Sequence, residues 1–442
     1  MNIFQSIGLL LFICATCAYL NQRFLRWPQV LAMNIMGALL AGSLILGGEL
    51  GWISLGEVES FIHSFDFADL VLHGLLGLLL FAGAMFVDVE KLKIWAKPIG
   101  ALATVGVVVA ATIVGFLLWL VAQGVGLNLP FAWCLLFGAL ISPTDPIAAL
   151  AIVRTAGAPK QMEIKLVGES LFNDATGVML FLVLLGVIST GELSPSLLAH
   201  ELFVAPVGGA VLGLLGGLLA TRAISHVNHH PTEILLTLAL AVGSYGLAEA
   251  IHVSAPIAVV AAGLVIGHRA RHHAMSKETR EHLDVFWEGL DEVLNASLFV
   301  LIGLELVVID LDWRILFVGV VAWAIVLLGR WAGVTASLAP MHLKGGLGKG
   351  TTRVMVWGGL RGGISLALAL SIPAGEQASD LVAITFIVVA LSSAIQGMTL
   401  NRVIPRQIEA DKEDPSLIVG DPHDFEEENK TSSPSVVQSR LS

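Results

Sequence analysis

Between Gly168 and Gly177 the chain reads GESLFNDATG, inside a long apolar run. Two carboxylates, an amide and a hydroxyl therefore stand where a membrane helix would carry hydrocarbon. On a helix of 3.6 residues per turn, Glu169, Asn173, Ser170 and Asp174 fall at about 0, 40, 100 and 140 degrees, with Gly177 inside the same arc. The other faces are Leu, Phe, Val and Met, so the arc looks at protein and not at lipid. Burial penalises the ionised form of a carboxylate, so Asp174 calls for neutralisation by a proton or by a cation. The chemistry on offer is reversible binding of a small positive ion.

Two other apolar runs are interrupted. One contains ISPTDPIA: Pro143 and Pro146 each remove a backbone donor, and Ser142 and Asp145, each preceding a proline, are biased to extended geometry. A break here frees carbonyls, including that of Thr144, to ligate a cation. The other contains WGGLRGG, where Gly358–Gly359 and Gly362–Gly363 flank Arg361. Arg330 lies in the middle of a further run. Irregular backbone at membrane depth is tolerated only where it is buried or lines a cavity. Asp145, Glu169 and Asp174 against Arg330 and Arg361 leave a deep charge of −1, with Glu249 and Glu305 set aside as nearer the ends of runs. If each arginine neutralises one carboxylate, one proton or one monovalent cation satisfies the last.

The elements that must position these groups follow from composition. Of 442 residues, 56% are hydrophobic and 13% charged, and mean hydropathy is +0.83. That composition describes an all-α polytopic membrane protein. Thirteen apolar segments of spanning length fall near 4–21, 28–47, 68–88, 98–123, 130–153, 165–190, 199–223, 232–251, 254–268, 289–310, 313–341, 350–374 and 380–402. With odd-numbered loops and the C-terminal tail on one side, 21 of the 24 Lys and Arg fall there and only Arg314 falls opposite; Arg330 and Arg361 are the remainder. That side is cytoplasmic by the positive-inside rule, and the N-terminus is outside. The first run has its positive charges, Arg23 and Arg26, after it, which predicts a retained span and not a cleaved signal.

Segments 3 and 10, 5 and 12, and 6 and 13 resemble one another weakly, each pair seven spans apart. An odd offset inverts the copies, so the chain reads as an inverted repeat of two six-helix units with broken helices crossing at the midplane. The units are 1–190 and 231–404, joined by a linking helix in 191–230 and followed by a disordered cytoplasmic tail, 405–442, rich in Glu, Asp, Ser and Pro.

In order and position, SPTDP, GESLFND, GRWAG and WGGLRGG resemble the monovalent cation:proton antiporter family, which includes bacterial NhaP-type proteins and the animal sodium/proton exchangers. The likeness covers spans 3–13. It implies secondary active exchange of Na+ for H+, with Li+ a further cargo and K+/H+ antiport the alternative. It also implies a bacterial plasma membrane, no cofactor beyond the transported ions, and a homodimer in which spans 4–6 and 11–13 move against spans 1–3 and 8–10. By motif, Asp174 is the ion- and proton-binding carboxylate, assisted by Asp145, Ser170 and the Thr144 carbonyl. Asn173 before Asp174 marks the electroneutral branch, and Glu169 with Arg330 is the family's structural ion pair.

Other signals point elsewhere only weakly. Cys14 and Cys17 form a C-x-x-C with no polar surroundings, so packed thiols are expected, and nothing suggests a disulfide framework. GGLGKG at 345–350 lacks the Ser or Thr and the preceding strand of a phosphate loop. His226, His229, His230, His268, His272 and His273 are expected to be solvated loop residues. The net charge of −11 comes with no basic patch, so no nucleic-acid partner is expected. Asp145 and Asp174 lack the G-x-G-D of intramembrane aspartyl proteases, so no enzyme activity is expected either.

Overall fold

The structure is a computed structural model that describes residues 3–404 except 28, 53, 55, 57–69, 146–148, 151–152, 154–159, 193, 272–273, 305–306, 308–311, 343–348, 374 and 401. Pro146, Glu305, His272, His273, most of GGLGKG and the tail 405–442 lie outside the described residues.

The described chain is helical: α1 (Ile3–Leu20), α2 (Gln29–Glu49), α3 (Leu70–Met85), α4 (Ala96–Gly124), α5 (Phe131–Leu140), α6 (Lys160–Thr190), α7 (His200–Ile224), α8 (His230–Ala250), α9 (Ala255–Ala270), α10 (Lys277–Leu304), α11 (Trp313–His342), α12 (Lys349–Trp357), α13 (Gly363–Leu370) and α14 (Glu376–Leu400). Seven of these, α1, α4, α6, α7, α8, α11 and α14, are long and apolar enough to cross a membrane. Among the described residues the one extended pairing is a single antiparallel bridge, Asp145 to Leu360.

The apolar stretch expected at 289–310 is, as far as Leu304, the second half of a longer helix. α10 begins at Lys277 because its first half is amphipathic, burying Leu283 and Trp287 among charged neighbours. From Asn295 to Leu304 it is buried on every side.

Helices α4, α5, α6, α11, α13 and α14 pack chiefly on one another. A second group forms around α9, which packs on α3, α7 and α8, while α10 lies along α2. The apolar clusters cross this division: one joins Phe137 on α5 and Phe386 on α14 to Phe299 on α10, and the other gathers Phe81, Val259 and Trp287. Cys14, Cys17 and Cys134 are free and buried, and Cys14 Sγ lies 3.9 Å from Ser297 Oγ.

Candidate functional site

The site forms where α5 ends. Ile141 N–H and Ser142 N–H still bond back to Phe137 and Ala139, each at 3.0 Å, and Ser142 Oγ donates to the Gly138 carbonyl at 2.7 Å. Pro143 then stops the ladder. Asp145 N–H donates to the Leu360 carbonyl at 2.8 Å, so the interrupted strand of chain after α5 crosses the one between α12 and α13.

α6 reads this break with successive polar side chains. Ser170 Oγ donates to the Thr144 carbonyl. Asn173 Nδ2 donates to the Ser142 carbonyl at 3.0 Å, to Thr144 Oγ1 at 3.2 Å and to Glu169 Oε1 at 3.2 Å. The Thr144 backbone N–H hydrogen-bonds Asp174. Thr144 is thus gripped through its carbonyl, its hydroxyl and its N–H. Gly177, one turn on, lets the Pro143 ring in: a Cβ there would lie 2.8 Å from Pro143 Cδ.

Glu169 faces Arg330 on α11 in a bidentate pair, Nη1 to Oε1 at 2.5 Å and Nη2 to Oε2 at 2.9 Å. The same guanidinium donates to the Met355 carbonyl from Nε at 3.3 Å and Nη2 at 3.1 Å. A helix end leaves its last carbonyls without intrahelical donors, and Met355 is one of these at the end of α12. Gln396 Nε2 covers another, the Trp357 carbonyl, at 3.2 Å. Trp357 Nε1 reaches Thr399 Oγ1 at 2.9 Å.

Arg361 is used differently from the one-arginine-per-carboxylate count expected from the sequence. Its Nη1 donates to the carbonyls of Ser142 at 2.6 Å and Pro143 at 3.2 Å, and its backbone N–H donates to Ser392 Oγ at 3.1 Å. Its positive charge therefore sits at the negative end of α5. The converse holds at α13, where a Cβ on the cap residue Gly362 would lie 3.3 Å from Asp145 Oδ2. Asp145 stands at the positive end of that helix. Each broken element places a charged side chain against the opposite end charge of the other.

Glu169, Ser170, Asn173, Asp174, Thr144, Arg330 and Arg361 are all buried in this one cluster, with Asp145 half-buried beside them. Asp174 lies within electrostatic reach of Asp145, Glu169 and Arg361. Its Oδ1 is buried and takes no hydrogen bond from any described residue, and the same is true of Asn173 Oδ1. A buried oxygen without a donor is costly unless something positive meets it. Together with the Thr144 carbonyl and the Ser170 hydroxyl, these oxygens suit a hard monovalent cation, or a proton on Asp174.

Sequence reasoning gave no role to Ser392 and Gln396 on α14, or to Asp291 on α10, whose charge acts on Asp145. For Ser392 and Gln396 the signal was a polar side chain in an apolar run; Asp291 stands among the charged neighbours Glu288 and Glu292. His226 and His230 make their contacts elsewhere. His226 Nδ1 sits 2.7 Å from the Arg222 carbonyl, and His230 stacks on His282 at 4.4 Å between ring centroids.

Over residues 8–405 the chain matches the family described as "Sodium/hydrogen exchanger, transmembrane". It is 42% identical over 396 residues to the Na(+)/H(+) antiporter NhaP of Pseudomonas aeruginosa, covering 88% of this chain and 93% of that protein. It is 34% identical over 418 residues to the Na(+)/H(+) antiporter NhaH of Halobacillus aidingensis, covering 92% and 98% respectively. Its fold is similar to that of the sodium proton antiporter MjNhaP1 from Methanocaldococcus jannaschii, with a TM-score of 0.72 and 23% identity, covering 92% of this chain and 100% of that one. The chain is an integral membrane protein of the sodium/hydrogen exchanger family, a family of secondary transporters and not of enzymes.

Proposed function

We propose that the protein exchanges Na+ for H+ across the membrane, one for one and without net charge movement, with both ions competing for Asp174. The observation that carries this reading is the buried Asp174 Oδ1 that receives no hydrogen bond among the described residues. A bare carboxylate there is expensive to carry across hydrocarbon, whereas a sodium- or proton-loaded one is neutral. The carrier then moves only when loaded, which enforces exchange. Asp145, held at the positive end of α13, stays a fixed charge that supports the ion, while Ser170, Asn173 and the Thr144 carbonyl shape its shell. Glu169 and Arg330 hold the α6–α11 contact, and Arg361 holds the crossing.

Alternating access in this reading moves α4, α5, α6 and α11–α14 as a core against the remaining helices; the close packing of α4 on α5 and α11, and of α14 on α11 and α13, supports it. The same reading takes thirteen spans in two inverted units, 1–190 and 231–404, linked through 191–230. It places the N-terminus outside, the tail 405–442 in the cytoplasm, and a second copy of the chain against spans 1–3 and 8–10. Na+ is favoured over K+ because the similar curated proteins are named as sodium antiporters; Li+ fits the same oxygen set.

The test is exchange in proteoliposomes loaded with Na+, K+ or Li+ gradients and read with a pH dye. Asp174→Asn should abolish exchange in a protein that still inserts and melts like the parent. Near-parental sodium-driven proton flux in that variant would remove Asp174 from the role, and flux driven by K+ alone would reassign the cargo.

A further inference from the structure

α10 carries a stripe that the transport cluster does not use. Asp284, Glu288, Asp291, Asn295 and Leu298 fall within about 80 degrees of arc on a helix of 3.6 residues per turn. The stripe runs from the solvated half of the helix into the half that is buried on every side. At its inner end Leu298 packs onto Gly363, the first residue of α13: a Cβ on Gly363 would lie 2.5 Å from Leu298 Cδ1. Gly362, the neighbouring residue, is the one that faces the Asp145 carboxylate. The stripe therefore leads to the crossing itself.

Its three carboxylates are not equivalent. Asp284 is neutralised by Arg271, 2.8 Å away. Glu288 is exposed to solvent. Asp291 is half-buried, next to the point where the helix loses contact with water, and makes no ion pair among the described residues. Asn295, buried one turn further in, donates from Nδ2 to the Asp291 carbonyl at 2.8 Å and steadies that turn. Asp291 and Asp145 lie within electrostatic reach of one another. α10 packs mainly along α2, outside the helices that build the Asp174 cluster. Asp145 follows α5 and Asp291 lies on α10, so the two carboxylates come from separate elements.

We propose that Asp291 is a positioning residue for cation capture: it draws the transported cation to the end of the site nearest Lys277 and passes it to Asp145 and Asp174. This rests on the reading of Asp174 as the transport carboxylate. A half-buried charge in low-dielectric surroundings concentrates ions of opposite sign near it, which a fully solvated charge such as Glu288 does far less. The effect is one-sided, because the stripe approaches the crossing from one end of the bundle only.

The experiment measures Na+ dependence of exchange in proteoliposomes of defined orientation, for the parent, Asp291→Asn, Asp291→Glu and Asp174→Asn. Asp291→Asn should raise the apparent KM for Na+ offered on the Lys277 side about fivefold. The maximal rate should stay within about twofold, KM from the other side should be unchanged, and Asp291→Glu should restore the parental value. Raising ionic strength with an impermeant salt should shrink the difference between parent and Asp291→Asn. An unchanged KM on the Lys277 side, an equal change on both sides, or a lower maximal rate that Glu does not rescue would each overturn the proposal. Asp174→Asn tests the underlying reading separately: no exchange there, combined with parental KM in Asp291→Asn, refutes the role of Asp291 alone.

Discussion

The contact between α7 and α9 and the crossing at α5 and α12–α13 solve the same problem in opposite ways. Both bring backbone against backbone inside a membrane. On α7, Gly209, Gly213 and Gly217 recur every fourth residue, and a Cβ on each would run into Ser254, Ala258 or Val265 around α9. Small residues let unbroken helices touch, and a backbone hydrogen bond from Ser254 N–H, just ahead of α9, to the Ala205 carbonyl on α7 at 2.9 Å joins them. At the crossing the helices stop, and the freed carbonyls of Ser142, Pro143, Met355 and Trp357 are met by Arg361, Arg330 and Gln396. Packing alone needs only glycine. At the crossing, buried charge meets backbone released from helix, and that is also where an ion can be bound and let go.

If the crossing is held by its charges, breaking the bidentate pair should be the most damaging change to stability. Glu169→Ala or Arg330→Ala strands one buried charge and is expected to cost about 3–5 kcal/mol. The swap Glu169→Arg with Arg330→Glu should recover part of that. Melting in detergent, followed by intrinsic fluorescence, reads the difference. Single variants that melt like the parent would mean the pair contributes nothing to the crossing.

The glycine contact should fail differently. Gly213→Leu forces a side chain against the Ala258 backbone and is expected to destabilise by about 1–3 kcal/mol through overpacking. Because it leaves Asp174 and its shell alone, the apparent KM for Na+ should not move in the fraction that stays folded. A weaker apparent affinity with unchanged melting would show that the two regions are not separable.

The contrast between these regions also decides what could be read from sequence. Glu169, Asp174, Arg330 and Arg361 stand out because a charge in an apolar run is expensive and so needs a reason. Pro143 announces a broken ladder wherever it occurs. The partners of those groups are less visible. Arg361 looked like a counter-ion for a carboxylate, yet it meets carbonyls, because backbone acceptors appear in no composition count. Ser392 and Gln396 are unremarkable in a helix until the element they serve is known to be interrupted beside them. Asp291 is harder to single out, because it stands beside Glu288 and Glu292 in the amphipathic half of α10, where one more carboxylate is ordinary.

Gln396 offers a finer cut at the crossing. Replacing it with Leu leaves the Trp357 carbonyl without that donor, a loss of about 1 kcal/mol for one neutral hydrogen bond. Thermal melting should drop modestly and by less than for Arg330→Ala. A loss as large as that of the ion pair would mean that Gln396, and not the arginines, is what holds the end of α12.

The smallest effect expected is none at all, and it concerns voltage. Asn173 occupies the position beside Asp174 where a second carboxylate would add a second titrating charge. If Na+ and H+ both neutralise Asp174, the loaded carrier has the same net charge in both directions. A membrane potential then does no work on the cycle, although about 2.3 kcal/mol per charge is available for every 100 mV. The same competition fixes the sign of the pH dependence. As pH falls, more of Asp174 is protonated, Na+ must displace a proton to bind, and the apparent KM for Na+ rises. Below the midpoint of that titration the rise should approach about tenfold per pH unit, since each bound Na+ then displaces one proton. Potassium with valinomycin sets the voltage in proteoliposomes, and the pH dye reads rate and end-point. An end-point that follows the imposed potential would mean a second group joins the cycle; Asp145 is the candidate, since Glu169 is held by Arg330, and Asp145→Asn should then restore indifference to voltage.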